Sequence, residues 1–190
     1  MIALLILGLA IFFGAHLLPS FPEAHARLRA RLGAGPYRGL FSLVSLLGFA
    51  LIVWGYAIAR PNSPTLWQPP VWSAWIPIVL MIPAMILLAA AYVPAGRIKA
   101  AVRHPMLAAV KIWAFAHLLA NGDLAGVLLF GSFLAYAVWD RISVKRRGAV
   151  EPVAGPGRND AFAVFAGLAF YAAFLLGLHR LLIGVPTHPV

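Results

Sequence analysis

The chain has 190 residues, 63% hydrophobic and 11% charged, with a mean hydropathy of +0.90 and no cysteine. Soluble domains are close to half apolar and a quarter charged, so this composition excludes a soluble globule and describes a polytopic membrane protein; the missing thiols exclude disulfides, thiolate catalysis, Cys-ligated zinc, iron–sulfur clusters and covalently attached haem. Fifteen Lys and Arg against five Asp and Glu leave a net +10, which in a chain with so little loop reads as topology signal and contact with anionic membrane lipids, not as a nucleic-acid footprint.

A bilayer span takes about 20 mostly apolar residues, and cutting the chain at its charges and prolines leaves six segments, an all-α bundle in a single transmembrane domain over 1–190. The first helix, about 1–18, carries no charge before Glu23 and stops at Pro19 and Pro22; without a basic leader it is kept as a helix of the mature protein. The second, 39–59, lies between Arg38 and Arg60, with Gly39, Ser42, Ser45, Gly48 and Gly55 as small packing positions. The third, 71–93, contains Pro77 and Pro83, which should kink it and free carbonyls that need partners on neighbouring helices. The fourth, 105–120, holds one charge, Lys111, whose long stem can reach the headgroups. The fifth, 124–139, follows the turn Asn121-Gly122-Asp123, where Asp123 can cap it. The sixth is 161–183. Segments 20–38 and 141–160 read as Pro/Gly/Arg loops, partly amphipathic at the surface.

The charges test this division. Arg27, Arg29, Arg31 and Arg38 follow the first helix, Arg97, Lys99 and Arg103 the third, and Arg141, Lys145, Arg146, Arg147 and Arg158 the fifth; only Arg60 and Arg180 fall on the other side. The positive-inside rule then puts both termini outside and the basic loops in the cytoplasm. Trp54, Tyr56, Trp67, Trp72 and Trp75 gather at outer helix ends and Tyr37, Tyr92 and Trp139 at inner ends, as interfacial anchors do. No phosphate-cradling glycine run and no pair of broken helices points to an ATPase or an inverted-repeat transporter.

The carboxylates Glu23, Asp123, Asp140, Glu151 and Asp160 fall in turns and loops, which leaves histidine as the polar chemistry of the bundle. His16, His104, His117 and His179 sit in or at the ends of helices, whereas His25 and His188 read as solvated. An ionisable group in hydrocarbon needs a partner and marks a candidate site. Without Cys or buried carboxylates, what remains is an imidazole-rich metal site or haem iron. Haem needs one or two axial imidazoles, an apolar pocket and cations for its propionates; Arg38, Arg97, Lys99 and Arg103 are available for the last.

Three stretches carry a resemblance. Gly14-Ala15-His16-Leu17-Leu18-Pro19, Tyr37-Arg38-Gly39-Leu40-Phe41-Ser42-Leu43-Val44-Ser45, and Arg103-His104-Pro105-Met106-Leu107 running to Ala116-His117-Leu118-Leu119-Ala120-Asn121-Gly122-Asp123 resemble the NnrU family. That family is associated with expression of nitrite and nitric oxide reductases in denitrifying bacteria, and it is related to 15-cis-zeta-carotene isomerase, a membrane enzyme containing haem b. The resemblance implies a multi-pass protein of the bacterial inner membrane, haem b as cofactor, and a hydrophobic small molecule or nitric oxide as ligand. It places the isomerase's axial histidines on His16 and His117 and matches His104 to the shared Arg-His-Pro element. The isomerase exchanges an axial histidine for cysteine, a residue this chain lacks.

His104 and His117 lie about 20 Å apart along one helix and form no single cluster. Two axial ligands of one iron have Cα atoms roughly 12 Å apart. His16 sits toward the cytoplasmic end of its helix and His117 on the outer side of the fourth, so by depth His117 with His179 is an equal pairing; the resemblance selects His16 with His117. Arg103-His104-Pro105 also resembles the element of isoprenylcysteine-type membrane methyltransferases, but Met106, Leu107 and Ala108 replace their usual Tyr and Gly, and 139–148 lacks their glutamate. Arg103 can equally snorkel while His104 caps the helix that Pro105 begins. A haem-dependent isomerase, a methyltransferase-like enzyme and a non-catalytic sensor or assembly factor all stay open, as does any protein partner.

Overall fold

The computed structural model describes residues 2–185 and Thr187. Met1, taken as the start of the first helix, and His188, expected in solvent, lie outside them. The regular structure of the described residues is helical, with no strand; an isolated bridge pairs Thr65 with Asp123. Among the described residues nine α-helices follow in order: α1 Ile2–Leu17, α2 Pro22–Leu32, α3 Ala34–Ala59, α4 Trp75–Tyr92, α5 Arg97–Val102, α6 Pro105–Ala120, α7 Leu124–Arg146, α8 Gly157–Ala173 and α9 His179–Ile183.

Among the described residues five stretches are long and apolar enough to cross a membrane: Ile2–Ser20, Ala34–Asn62, Val71–Tyr92, Leu124–Arg146 and Gly157–Ile183. The fourth expected span, α6, has 16 residues, about 24 Å of helix against a hydrocarbon core of about 30 Å. It is trimmed by Pro105 at its first position and by the turn at Asn121.

Cutting at charges misplaced several boundaries. Helix α7 continues seven residues past Trp139, because Arg141, Lys145 and Arg146 are good helix residues whose charged ends can reach the polar interface without leaving the helix, and Asp140 is held there by Arg147. The segment expected as loop after α1 contains α2, which Pro22 opens, and α3 begins at Ala34, directly after Gly33 in the left-handed region (φ 82°). The sixth segment is broken: a π-turn over Phe174–Leu178 separates α8 from α9. Pro77 falls in the first turn of α4, where its missing N–H costs nothing, so only Pro83 interrupts the ladder. One residue from the Val79 carbonyl that Pro83 frees, Ile78 O accepts from the Tyr171 hydroxyl of α8 (3.0 Å).

The helices form two groups. In the first, α1 lies along α3, and the approach depends on glycine: a Cβ on Gly8 would sit 2.6 Å from Ile52 N, on Gly48 2.7 Å from Phe12 N, and on Gly55 2.6 Å from Leu5 N. Of the other expected small positions, Gly39 faces open space. In the second group α4 packs on α6 and α8, with Gly167 of α8 against the backbone of Ile86. Helix α7 packs on α6 and touches α1 and α3, joining the groups. The buried core, Leu5, Leu9, Ile52, Tyr56, Ala114, Leu129 and Phe130, lies along that junction. Leu43, Leu46, Val79, Phe165 and Leu176 point outward, as a lipid-facing perimeter requires.

The connections gather at two ends. At the basic end Arg147 donates to Pro19 O (2.7 Å), Arg103 pairs with Glu151 (2.7 Å), and Asp160 accepts from the Arg97 and Ile98 amides (both 2.9 Å). At the other end Leu66 and Trp67 donate to Gly122 O, Leu124 donates to Pro64 O, and Ala125 donates to Ser63 Oγ. The three basic connections are therefore neighbours, and Arg60 belongs to the opposite end.

Candidate functional site

Between the two helix groups, where α3 makes no extended packing with α4, α8 or α9, lies a cavity of about 670 Å³. That volume falls within the range of small-molecule and cofactor sites. Its walls are mostly apolar: Phe49, Ile52 and Val53 from α3, Met81 and Met85 from α4, Phe130 and Phe133 from α7. Its polar groups are few, and they include His117, His179, Asn121, Tyr56 and Arg60.

Each imidazole here is held in one tautomer by a backbone carbonyl. His117 Nδ1 lies 2.8 Å from Trp113 O, one turn back on α6, and His179 Nδ1 lies 2.7 Å from Val185 O. A carbonyl only accepts, so Nδ1 carries the hydrogen and the lone pair of the neutral ring is left on Nε2. Metal-ligating histidines are prepared in just this way. The His117 ring is stacked on Phe130 at 4.9 Å and tilted against Trp113 at 5.7 Å, which fixes its plane. Asn121 donates to His117 O (2.8 Å), closing the last turn of α6.

His16 repeats the local chemistry in a different place. Its Nδ1 donates to Phe12 O (2.8 Å), and its ring stacks on Phe12 at 4.0 Å, with Phe41 and Tyr136 at 5.2 and 6.0 Å. It is not part of the cavity wall. Phe12 and Phe133, whose rings are 5.4 Å apart, stand between it and Trp113. The structure thus brings His117 together with His179 and leaves His16 in a ring cluster of α1, α3 and α7.

The basic candidates stand at the other end of the bundle. Arg38 is exposed at the start of α3, 22 residues and about 33 Å of helix from Arg60. Arg103 is ion-paired with Glu151, and Lys99 donates to Ala91 O and Val93 O. Arg103 also has a left-handed backbone (φ 67°, ψ −49°), and His104 N donates to Val102 O across it, a strained three-residue turn. His104 is the residue before α6, without a side-chain cap bond; burial, then the neighbouring Arg141, pushes its imidazole below the usual histidine range. Asp140, expected in a loop, is inside α7, its carboxylate 3.3 Å from Arg147. His25, expected in solvent, is half-buried with Tyr37 at 5.2 Å.

Sequence reading missed Arg60 and Tyr56 as site residues. The sign was available: Arg60 is the one cation at the end of an otherwise uncharged stretch on the side with little positive charge. Among the described residues no three or more His, Asp or Glu side chains cluster as a metal site.

Comparison with known proteins gives one family match: the family described as NnrU protein matches residues 4–187, nearly the whole chain. No curated protein and no solved structure matches.

Proposed function

The chain belongs to the NnrU family, and from that footing we propose that it is a haem b-binding protein of the bacterial inner membrane, working beside nitrogen-oxide metabolism. What carries the reading is the pairing of His117 and His179 on one apolar cavity, each with Nδ1 bonded to a carbonyl and Nε2 free. The donor set suits haem, which brings four of its own nitrogen ligands and asks the protein for axial imidazoles and a dry pocket. Bound haem would supply an iron centre for one-electron chemistry or for a diatomic ligand such as nitric oxide. The chain's own contribution is to hold two imidazoles in one tautomer, to fix the His117 plane against Phe130, and to keep water away with Phe49, Met81, Met85 and Phe133. His117 and His179 are the residues that would hold the haem iron, in place of the His16 and His117 that the resemblance implies.

We place α6 as a sixth, short span, since its two ends join connections at opposite ends of the bundle. With the basic end cytoplasmic, the amino terminus and the residues after α9 are outside. The natural absence of cysteine makes this directly testable: a single Ser63→Cys should react with an impermeant maleimide in whole cells and Gly148→Cys only after lysis, and the reverse pattern overturns the orientation.

An absorption spectrum of the detergent-purified protein, oxidised and then reduced with dithionite, tests the haem reading. A low-spin b-type spectrum in protein from haem-replete cells is the expected result, and a colourless protein that takes up no added haemin refutes it.

A further inference from the structure

Arg60 is a half-buried cation lining an apolar cavity, and among the described residues it has no ion-pair partner. Asp123, the carboxylate at this end, is committed to capping α7, accepting from Gly126 N (2.8 Å). Tyr56, one turn back on α3, shares the wall and lies within electrostatic reach of both. The charges at the basic end that fold back onto the protein are answered there: Arg103 by Glu151, Arg147 by Asp140, Asp160 by two amides, Lys99 by two carbonyls. A guanidinium at the rim of an apolar space, with the bilayer on one side and no anion of its own, is arranged to meet the anion of an incoming amphiphile.

We propose that Arg60, with the Tyr56 hydroxyl beside it, is the carboxylate anchor of this cavity: the acid group of an amphiphile stops at Arg60 while its apolar body lies among Phe49, Val53, Met81 and Phe133. The required chemistry is a carboxylate on a large apolar frame. A haem propionate and the head of a long-chain fatty acid both supply it. For haem the inference rests on the reading above and reverses the sequence expectation, since the propionates then point away from Arg38, Arg97, Lys99 and Arg103; for a fatty acid it stands without haem.

The test is a set of titrations of the purified full chain, wild type, Arg60→Gln, Arg60→Lys and Arg103→Gln, with three probes: haemin, haemin dimethyl ester, whose propionates are uncharged, and a fluorescent polyene fatty acid. Helix content by circular dichroism accompanies each variant. A charge-assisted contact in a partly dry site makes about a tenfold difference or more in affinity. Wild type should therefore prefer haemin to its ester by about tenfold or more, Arg60→Gln should lose that preference, Arg60→Lys should keep part of it, and Arg103→Gln should match wild type. Fatty acid binding that weakens in Arg60→Gln, with no haem binding in any variant, supports the anchor and sinks the haem reading. Haem that binds equally to wild type and Arg60→Gln, with ester and acid alike, overturns the anchor and leaves the haem reading standing. If no variant binds any probe, or if Arg103→Gln erases the preference and Arg60→Gln does not, the anchor is overturned.

Discussion

His16 and His117 make the same local choice and end in different surroundings. Each lies near the end of a helix, bonds Nδ1 to the carbonyl four residues back and stacks on a phenylalanine. Yet His16 is surrounded by rings where α1 lies on α3 at glycine distance, whereas His117 opens onto the space that α3 leaves in front of α4 and α9. The difference teaches that one local arrangement of an imidazole meets a cavity in one place and a cluster of rings in the other, according to how the surrounding helices pack. Glycine on α1 and α3 closes one region; bulky Met81, Met85, Phe49 and Phe133 hold the other open.

The strongest way to break this comparison is to exchange the two regions' fates. His117→Ala or His179→Ala should turn a low-spin spectrum high-spin or abolish it, because each removes one of the two imidazoles assigned to the iron, while His16→Ala should leave it intact. A spectrum lost in His16→Ala and kept in His179→Ala would restore the pairing that the family resemblance selects.

The closed region can be pried apart. A methyl at Gly55 or Gly48 meets backbone that cannot retreat, so Gly55→Ala and Gly48→Ala should each cost about 1–3 kcal/mol. Thermal unfolding in detergent should register this as a lower midpoint. On the same two helices Gly14 and Gly39 face open space, so Gly14→Ala should be neutral or up to about 1 kcal/mol stabilising through helix propensity. Equal losses at Gly55 and Gly14 would mean that close approach is not what joins α1 to α3.

A smaller effect sharpens the contrast between the ends of the bundle. Asp123→Ala removes the cap of α7 and should cost about 1 kcal/mol. Arg103→Ala, which breaks a half-exposed ion pair with Glu151, should cost less than about 1 kcal/mol. Haem content measured on the same preparations should be unchanged by Arg103→Ala and by Arg146→Ala alike. A drop confined to Arg103→Ala would return the propionates to the basic end.

Much of this molecule is written locally. Hydropathy and charge mark the long spans, because a bilayer demands uninterrupted apolar length whatever the neighbours are. Pro105, Asp123 and the turn at Asn121-Gly122 set helix ends through their own backbone chemistry. Where the reading went astray, at the end of α7, at α2 and at the break before α9, a charge was taken for a boundary or an apolar run for a continuous helix. Neither inference is physical: Lys, Arg and Asp stay helical at an interface, and hydropathy does not register a π-turn.

Residue type and spacing also named the histidines as the chemistry of the bundle. They did not say which would meet, because depth along a helix is a one-dimensional quantity while a cavity depends on the rotation and separation of helices distant in sequence. Only the tertiary structure separated His16 from His117 behind Phe12 and Phe133, joined His117 to His179 across more than sixty residues, and set Arg60 beside Tyr56 at their cavity. The reason is physical: composition fixes what each helix must hide from lipid, but packing between helices, here glycine against backbone on one side and bulky side chains on the other, decides where a gap is left for a ligand.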